Sequence, residues 1–296
     1  MRYAVILNPS SGNGRAFDVL LKLHKWTRKN RIAFEFFSTT GPGDGYKLGR
    51  HCRLERFERI IVVGGDGTIN EVGSALLGSN ITLGIVPGGN GNDFFKMIGT
   101  NGSLDHAFHT AFFGKPWAVD VGTINNKPFF NSVGVGFDAE VAEIVDKNEN
   151  VSGILAYLLA VFKALRNLKP KKVEIDLDGT VLSKEITLIC IGNGRSSGGG
   201  FYLTPSALID DGFFDICVIG ALSKGRIFRY LPRTLNGSHI RLDGISIYRS
   251  RKISIRSRSS LPVHIDGEPL DPSPRQLDFR FNKEKILVAS GNKNEK

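Results

Sequence analysis

Three times in its N-terminal part this chain runs an apolar stretch straight into a glycine-rich turn. Tyr3–Leu7 leads into Asn8-Pro9-Ser10-Ser11-Gly12-Asn13-Gly14-Arg15, residues 60–63 into Gly64-Gly65-Asp66-Gly67-Thr68, and residues 81–86 into Pro87-Gly88-Gly89-Asn90-Gly91-Asn92-Asp93. Unbroken apolar runs read as strands buried on both faces, and the glycines beyond them permit turns too tight for side chains. Helical spacing fills the intervals: Phe17, Leu20, Leu21, Leu23 and Trp26 recur across 17–31, Thr68 or Asn70 caps a helix through Glu71, Val72 and Leu76, and 104–113 closes the region. Residues 32–37 add a strand, and Thr39-Thr40-Gly41-Pro42-Gly43-Asp44 a loop leading to a short helix. Strands alternating with helices imply a parallel sheet covered on both faces, with ligands bound beyond the carboxyl ends of its strands. The glycine loops are therefore expected to meet on one edge, where unpaired N–H groups at helix starts suit phosphate.

After Gly114-Lys115-Pro116 the pattern changes. Residues 117–122 and 129–135 read as strands joined by an Asn125-Asn126-Lys127 turn. One long helical pattern follows at 151–168, carrying Ile154, Leu155, Leu158, Val161, Phe162 and Leu165. Beyond it come short strands at 172–177, 186–191, 213–219, 252–255, 263–265, 276–281 and 286–290. Short strands separated by turns argue for an antiparallel sandwich or barrel. The expected division is an α/β domain with a parallel sheet over 1–118, a β-rich antiparallel sandwich over 119–290, and a polar tail at 291–296. A chain of 296 residues with 41% hydrophobic composition has the material for two cores.

The net charge of +10 is concentrated: residues 222–258 hold ten Lys or Arg against one acid, Asp243. An anionic membrane or a phosphorylated substrate fits that stretch, and solubility alone also accounts for it. Nucleic acid is disfavoured, because few aromatics interleave with the basic residues and no recognition motif is present. No apolar run approaches the ~20 residues that cross a bilayer, and Met1-Arg2 passes directly into a strand pattern without a signal-peptide cleavage site. The expectation is a cytoplasmic protein, peripheral to the membrane. Cys52, Cys190 and Cys217 have no metal-ligand spacing and are expected to be buried thiols.

Three loops of the second half invite chemical readings. Gly192-Asn193-Gly194-Arg195-Ser196-Ser197-Gly198-Gly199-Gly200 is richer in glycine than a linker needs. Leu208-Ile209-Asp210-Asp211-Gly212-Phe213 places adjacent acids in a turn, where carboxylates and carbonyls suit a hard cation. Val263-His264-Ile265-Asp266-Gly267-Glu268 ends a strand with two carboxylates flanking a glycine, and such a pair can divide metal contact and proton abstraction. Each is also compatible with a plain turn.

Taken in order, Asn8-Pro9 with Ser11-Gly12 and Gly14, Gly64-Gly65-Asp66-Gly67-Thr68 with Asn70-Glu71, Pro87 with Gly89 and Asn92-Asp93-Phe94, Gly136-Phe137-Asp138-Ala139, Asp211-Gly212, and Asp266-Gly267-Glu268 resemble the diacylglycerol-kinase catalytic family, from about Tyr3 to Glu268. That family includes bacterial soluble lipid kinases, sphingosine kinases and ceramide kinases. The resemblance implies a NAD-kinase- or phosphofructokinase-like α/β domain that binds nucleotide, a β-rich domain, and a cleft between them where a lipid hydroxyl takes the γ-phosphoryl group of ATP. It implies nucleotide contacts at Asn8, Thr39, Gly65, Asp66, Gly67, Thr68, Ile69, Asn70, Glu71 and Asn90, with Asp66 near a catalytic Mg²⁺. It further implies a structural Mg²⁺ held by Asp211 with the backbone oxygens of Leu208 and Phe213, and a general base at Glu268 with Asp266 beside it. Many relatives carry Leu-Gly-Thr where this chain has Gly88-Gly89-Asn90, which leaves the contact made by Asn90 open. Phosphoryl transfer asks for these parts: positioned phosphates, a cation on their oxygens and a base for the attacking hydroxyl. A soluble small-molecule kinase of the NAD-kinase type and a non-catalytic nucleotide- or lipid-binding protein are the alternatives. Diacylglycerol, phosphatidylglycerol, ceramide and sphingoid bases all stand as acceptors, and a homo-oligomeric state stays open.

Overall fold

A computed structural model describes residues 1–98, 102–146, 153–166 and 168–291. The chain divides into two compact units, Met1–Asp120 with Lys283–Lys296, and Val121–Asn282.

In chain order the first unit contains β1 (Tyr3–Leu7), α1 (Arg15–Lys29), β2 (Glu35–Ser38), α2 (Asp44–Leu54), β3 (Arg59–Gly64), α3 (Asp66–Leu76), β4 (Thr82–Pro87), α4 (Asp93–Met97), α5 (Leu104–Phe113) and β5 (Lys115–Val119). The second unit contains β6 (Gly122–Ile124), β7 (Lys127–Phe129), β8 (Ser132–Gly136), α6 (Phe137–Asp146), α7 (Gly153–Arg166), β9 (Lys171–Leu177), β10 (Thr180–Gly192), β11 (Phe214–Gly220), α8 (Lys224–Thr234), a 3₁₀ turn (Ser238–Arg241), β12 (Ile245–Ser250), β13 (Lys252–Ser257), β14 (Val263–Ile265), β15 (Glu268–Pro269) and β16 (Gln276–Phe281). A last strand, β17 (Ile286–Ser290), follows.

The first sheet has the order β2-β1-β3-β4-β17-β5. It is parallel except for β5, which runs against β17. Every residue of β3 is buried, as expected of a strand with helices on both faces. Val5, Leu7, Ile61, Val63 and Val86 point to α1 and α5, where Phe108 and Phe112 complete the cluster. The alternate residues Ala4, Ile6, Ile60 and Val62, equally buried, face the opposite side by the period of two. Helix α3 begins at Asp66 with Gly65 as its N-cap, ahead of the expected caps at Thr68 and Asn70.

The expected second domain ended at residue 290, and here the structure corrects the boundary. Strand β17 lies between β4 and β5, pairing Leu287 with Thr82 and Ala118. The Lys285 ammonium meets the buried Asp120 carboxylate at 2.8 Å where the chain returns to the first unit. A five-residue apolar run satisfies either sheet locally; only register against distant partners decides which one it joins.

The second sheet runs β15-β14-β8-β10-β9-β13-β16-β6-β7, with β11 beside β10 and β12 beside β11, and its ladders are antiparallel. Strand β10 shows how it is covered. Ile189 and Ile191 point into a core with Val133, Phe214 and Ile216, while Leu188 and Cys190 point the other way, into a cluster with Phe137, Val161 and Ile227 from α6, α7 and α8. Side chains of 151–158 lie outside the described residues, so Ile154, Leu155 and Leu158 do too, as does the tail at 292–296. Val161 and Leu165 are buried as the periodicity expects, and Phe162 is exposed. All three cysteines are buried free thiols, and desolvation pushes Cys52 and Cys217 up to about 12.

Candidate functional site

Because β1, β3 and β4 are parallel, the loops after them leave from the same edge of the first sheet. Their glycines let the backbones touch. A Cβ on Gly89 would lie 2.5 Å from Gly65 Cα, one on Gly65 would sit 3.1 Å from Ser11 Oγ, and one on Gly12 would run into the carbonyl oxygen of Gly88. The Gly88 N–H donates to Gly64 O at 2.8 Å, and the Asn8 N–H to Val63 O at 3.1 Å. The three loops thus form one cradle around the start of α3, where no side-chain cap is present and N–H groups face an anion naturally.

Several residues expected to touch nucleotide hold this cradle together. Asn8 Nδ2 donates to Thr68 Oγ1 at 2.9 Å, and Asn8 Oδ1 accepts the Ser10 N–H at 3.1 Å. Asp66 receives the first turn of α4, accepting the N–H groups of Asp93 at 3.1 Å and Phe94 at 3.0 Å. Glu71 receives the start of α2, accepting the N–H groups of Gly43 at 2.6 Å and Gly45 at 2.9 Å. The buried Thr39 joins the same edge, its N–H donating to Leu7 O at 2.9 Å. Asn70 Oδ1 accepts from Ser74 Oγ at 3.3 Å. Ile69 belongs to the first turn of α3. Its side chain is fully buried and its N–H donates back to Gly65 O at 3.0 Å, because the helix starts early enough to turn residue 69 into the core. Asn90 accepts from Arg15 Nη2 at 3.3 Å, which brings to the cradle a cation that sequence reasoning missed. Its signal was position, since Arg15 opens α1 directly after the first glycine loop.

In the second unit the Asp266-Gly267 pair turns β14 into β15, with φ of 50° and 93°, and Ile265 faces Glu268 across the hairpin. Left-handed dihedrals at both positions are those of a two-residue turn favoured by Asp-Gly. Glu268 is exposed at its lip. The Asp266 carboxylate turns inward, accepting the N–H groups of Phe130 (2.8 Å), Asn131 (2.9 Å) and Ser132 (2.9 Å). Asp266 and Glu268 are thus neighbours with different tasks, one anchoring the turn and one presented by it. Beneath the turn, His264 Nδ1 accepts the Gly267 N–H at 3.2 Å and His264 Nε2 donates to Asp138 Oδ2 at 2.8 Å, both side chains being buried. The loop after β10 is bound to the same segment: the N–H groups of Asn193 and Gly194 donate to Asn131 O at 2.9 and 2.7 Å, and Asn131 Nδ2 donates to Ser196 O at 2.6 Å.

The turn at Leu208, Asp211 and Phe213 offers one carboxylate with main-chain oxygens, donors of the kind a hard dication takes together with water. Asp211 Oδ1 accepts the Phe213 N–H at 3.0 Å, and Oδ2 is paired with the Arg249 guanidinium. Arg249 also lies 3.6 Å from Asp215, whose carboxyl burial pushes up. The donor set fits Mg²⁺, with Arg249 as its competitor for Asp211. Among the described residues no cluster of three or more His, Cys, Asp or Glu is placed to hold a metal. Asp66 is a single carboxylate at the cradle, of the hard oxygen-donor type that Mg²⁺ takes together with water.

A parallel sheet with a glycine cradle at its carboxyl edge and an antiparallel unit bearing a carboxylate on a hairpin match the NAD-kinase-like fold, and the family matches make the chain a kinase, a phosphotransferase with an alcohol group as acceptor. Residues 2–124 match the family model for the diacylglycerol kinase catalytic domain, and 131–287 that for the YegS C-terminal NAD kinase beta sandwich-like domain. The chain belongs to the diacylglycerol kinase family. It is 30% identical over 271 residues to the diacylglycerol kinase of Bacillus subtilis (strain 168), covering 90% of this chain and 89% of that one. A diacylglycerol kinase structure from Bacillus anthracis superposes with TM-score 0.74 at 24% identity, covering 98% of this chain and 97% of that one. An NAD kinase from Archaeoglobus fulgidus in complex with ATP shares the fold at TM-score 0.53 and 13% identity, covering 98% and 94%.

Proposed function

We propose that the protein transfers the γ-phosphoryl group of ATP to the hydroxyl of diacylglycerol or a closely related lipid. The observation that carries the lipid reading is a partly open apolar cavity of about 50 Å³ in the second unit. Phe137, Val161, Leu203, Ile227 and Leu231 wall it, and Asp138, the partner of His264 beneath the Glu268 turn, lies at its margin. Apolar lining and the turn of the candidate base are thus linked through the Asp138–His264–Gly267 chain of hydrogen bonds. At that volume it is a small apolar pocket, and its chemistry, not its size, points to a lipid acceptor.

The roles follow from the chemistry. The cradle's N–H groups and Arg15 would hold the phosphates of ATP, and Asp66 would hold a Mg²⁺. When bound, that ion neutralises charge developing on the transferred group. Glu268 takes the proton from the attacking hydroxyl, and Asp266 fixes the turn that presents it. The bilayer is the source of the acceptor. Phe162 and Phe228, 61% and 56% exposed, meet edge to face at 5.9 Å above a groove of about 460 Å³ flanked by Arg166 and Lys224. Exposed aromatics set among cations suit an anionic interface, and no helix among the described residues is long and apolar enough to cross a membrane.

The test incubates the protein with labelled ATP, Mg²⁺ and phosphatidylglycerol-containing vesicles doped in turn with diacylglycerol, ceramide or a sphingoid base. Label is expected in diacylglycerol, with turnover falling when the vesicles are made of neutral lipid. Absence of label from every lipid overturns the proposal.

A further inference from the structure

We infer that His264 is a positioning residue for the reaction, a two-sided clamp that sets the orientation of the Glu268 turn; the inference rests on Glu268 serving as the base. Gly267 can only donate through its N–H, so Nδ1 of His264 must accept, and the ring proton is left on Nε2, where Asp138 Oδ2 receives it. The ring therefore links helix α6 to the glycine immediately before Glu268. Its orientation has no slack, because the ring and its partner are buried and the strand beside them has given up a side chain. A Cβ on Gly134 would run into His264 Nε2 and lie 2.6 Å from Asp138 Oδ2.

Two independent systems thus hold a two-residue turn. Asp266 binds three successive N–H groups at 130–132, and His264 binds the Gly267 N–H. A plain hairpin turn of the Asp-Gly type is adequately specified by its own dihedrals. A buried imidazole beneath it adds directional control of the next residue, and that residue is the exposed carboxylate Glu268. Asp138 also borders the apolar cavity, so the same clamp couples the setting of the turn to the wall of the proposed acceptor site.

Two substitutions separate the clamp's bonds. In His264→Asn the amide oxygen overlays Nδ1 and keeps an acceptor for Gly267 while the bond to Asp138 is lost; in His264→Gln the longer amide reaches Asp138 and the acceptor for Gly267 is lost. The expected result is a crossed pattern. His264→Asn melts lower and keeps kcat within about 3-fold, whereas His264→Gln melts close to the parent protein and loses about 10-fold or more in kcat, with KM for ATP unchanged in both, as displaced catalytic groups cost rate more than binding. A purely structural histidine makes kcat follow the melting temperature instead, and that outcome overturns the inference, as does full kcat in His264→Gln. If His264→Asn does not fold, His264→Gln alone decides on the same criteria. Glu268→Gln measured alongside distinguishes the two layers: an active Glu268→Gln removes Glu268 as base, while an inactive one beside a fully active His264→Gln removes only the clamp.

Discussion

Gly134 shows at the scale of one residue how packing and chemistry constrain each other. It sits in β8 between His264 and Asp138, and an added methyl has nowhere to go. Gly134→Ala is expected to cost about 1–3 kcal/mol, typical of overpacking in a filled core, and to reduce kcat as the ring is pushed off its bonds. Chemical denaturation with a parallel kinase assay checks this, and a variant with parental stability and full kcat contradicts it. The same scale explains what the sequence could disclose about the site. Glycines and acids in Gly64-Gly65-Asp66-Gly67-Thr68 and Asp266-Gly267-Glu268 mark the turns, since few residue types tolerate those conformations. They do not say which way each carboxylate points. Asp66, Glu71 and Asp266 accept backbone N–H groups from α4, α2 and residues 130–132, contacts that no local spacing announces. His264 was invisible for the same reason: within Val263-His264-Ile265 it reads as one more strand residue.

At the scale of elements, the strands and the long helices of the first unit are legible from their periodicity, whereas α6 and α8 go unread in the sequence although α8 carries an amphipathic face. Helix α8 lies inside the basic stretch at 222–258, where charge drew attention from the Ile227, Tyr230 and Leu231 face that packs on the sheet. The turn before β11 and the neighbouring strand β12 raise a testable question of charge. Arg249, half exposed, is paired with Asp211 and stacks over Phe213 with Arg251, at 4.7 and 4.6 Å from the ring centre. A guanidinium and a dication contend for the same carboxylate. Adding Mg²⁺ without nucleotide is therefore expected to raise the melting temperature modestly. Arg249→Gln should shift that response to lower Mg²⁺ concentration, and Asp211→Asn should abolish it. Thermal melts across a Mg²⁺ series measure all three, and a response in Asp211→Asn equal to that of the parent excludes this turn as the metal's seat.

For the whole molecule the decisive element is the last one. Strand β17 is the second-to-last residue run of the chain, yet it is internal to the first sheet, bonded to β4 on one side and β5 on the other. Loop-closure entropy grows only slowly with the length of the excursion, so an intervening unit of residues 121–282 is a tolerable insertion between β5 and β17. Its removal is another matter. Ile286 and Val288, both fully buried, represent about 3–6 kcal/mol at 1.5–3 kcal/mol per buried side chain, a large part of the roughly 5–15 kcal/mol that holds a domain folded. The loss also bares the β17-facing edge of β4 and leaves β5 without a partner strand in the sheet. A chain ending at Asn282 is therefore expected to keep a protease-resistant second unit while its first 120 residues are digested rapidly and bind no ATP analogue. Val288→Asp in the full-length chain should reproduce this in milder form, because it buries a charge in the same ladder. Limited proteolysis with mass spectrometry reads out both, and resistant fragments from the first unit of the shortened chain show that β17 is dispensable to its fold.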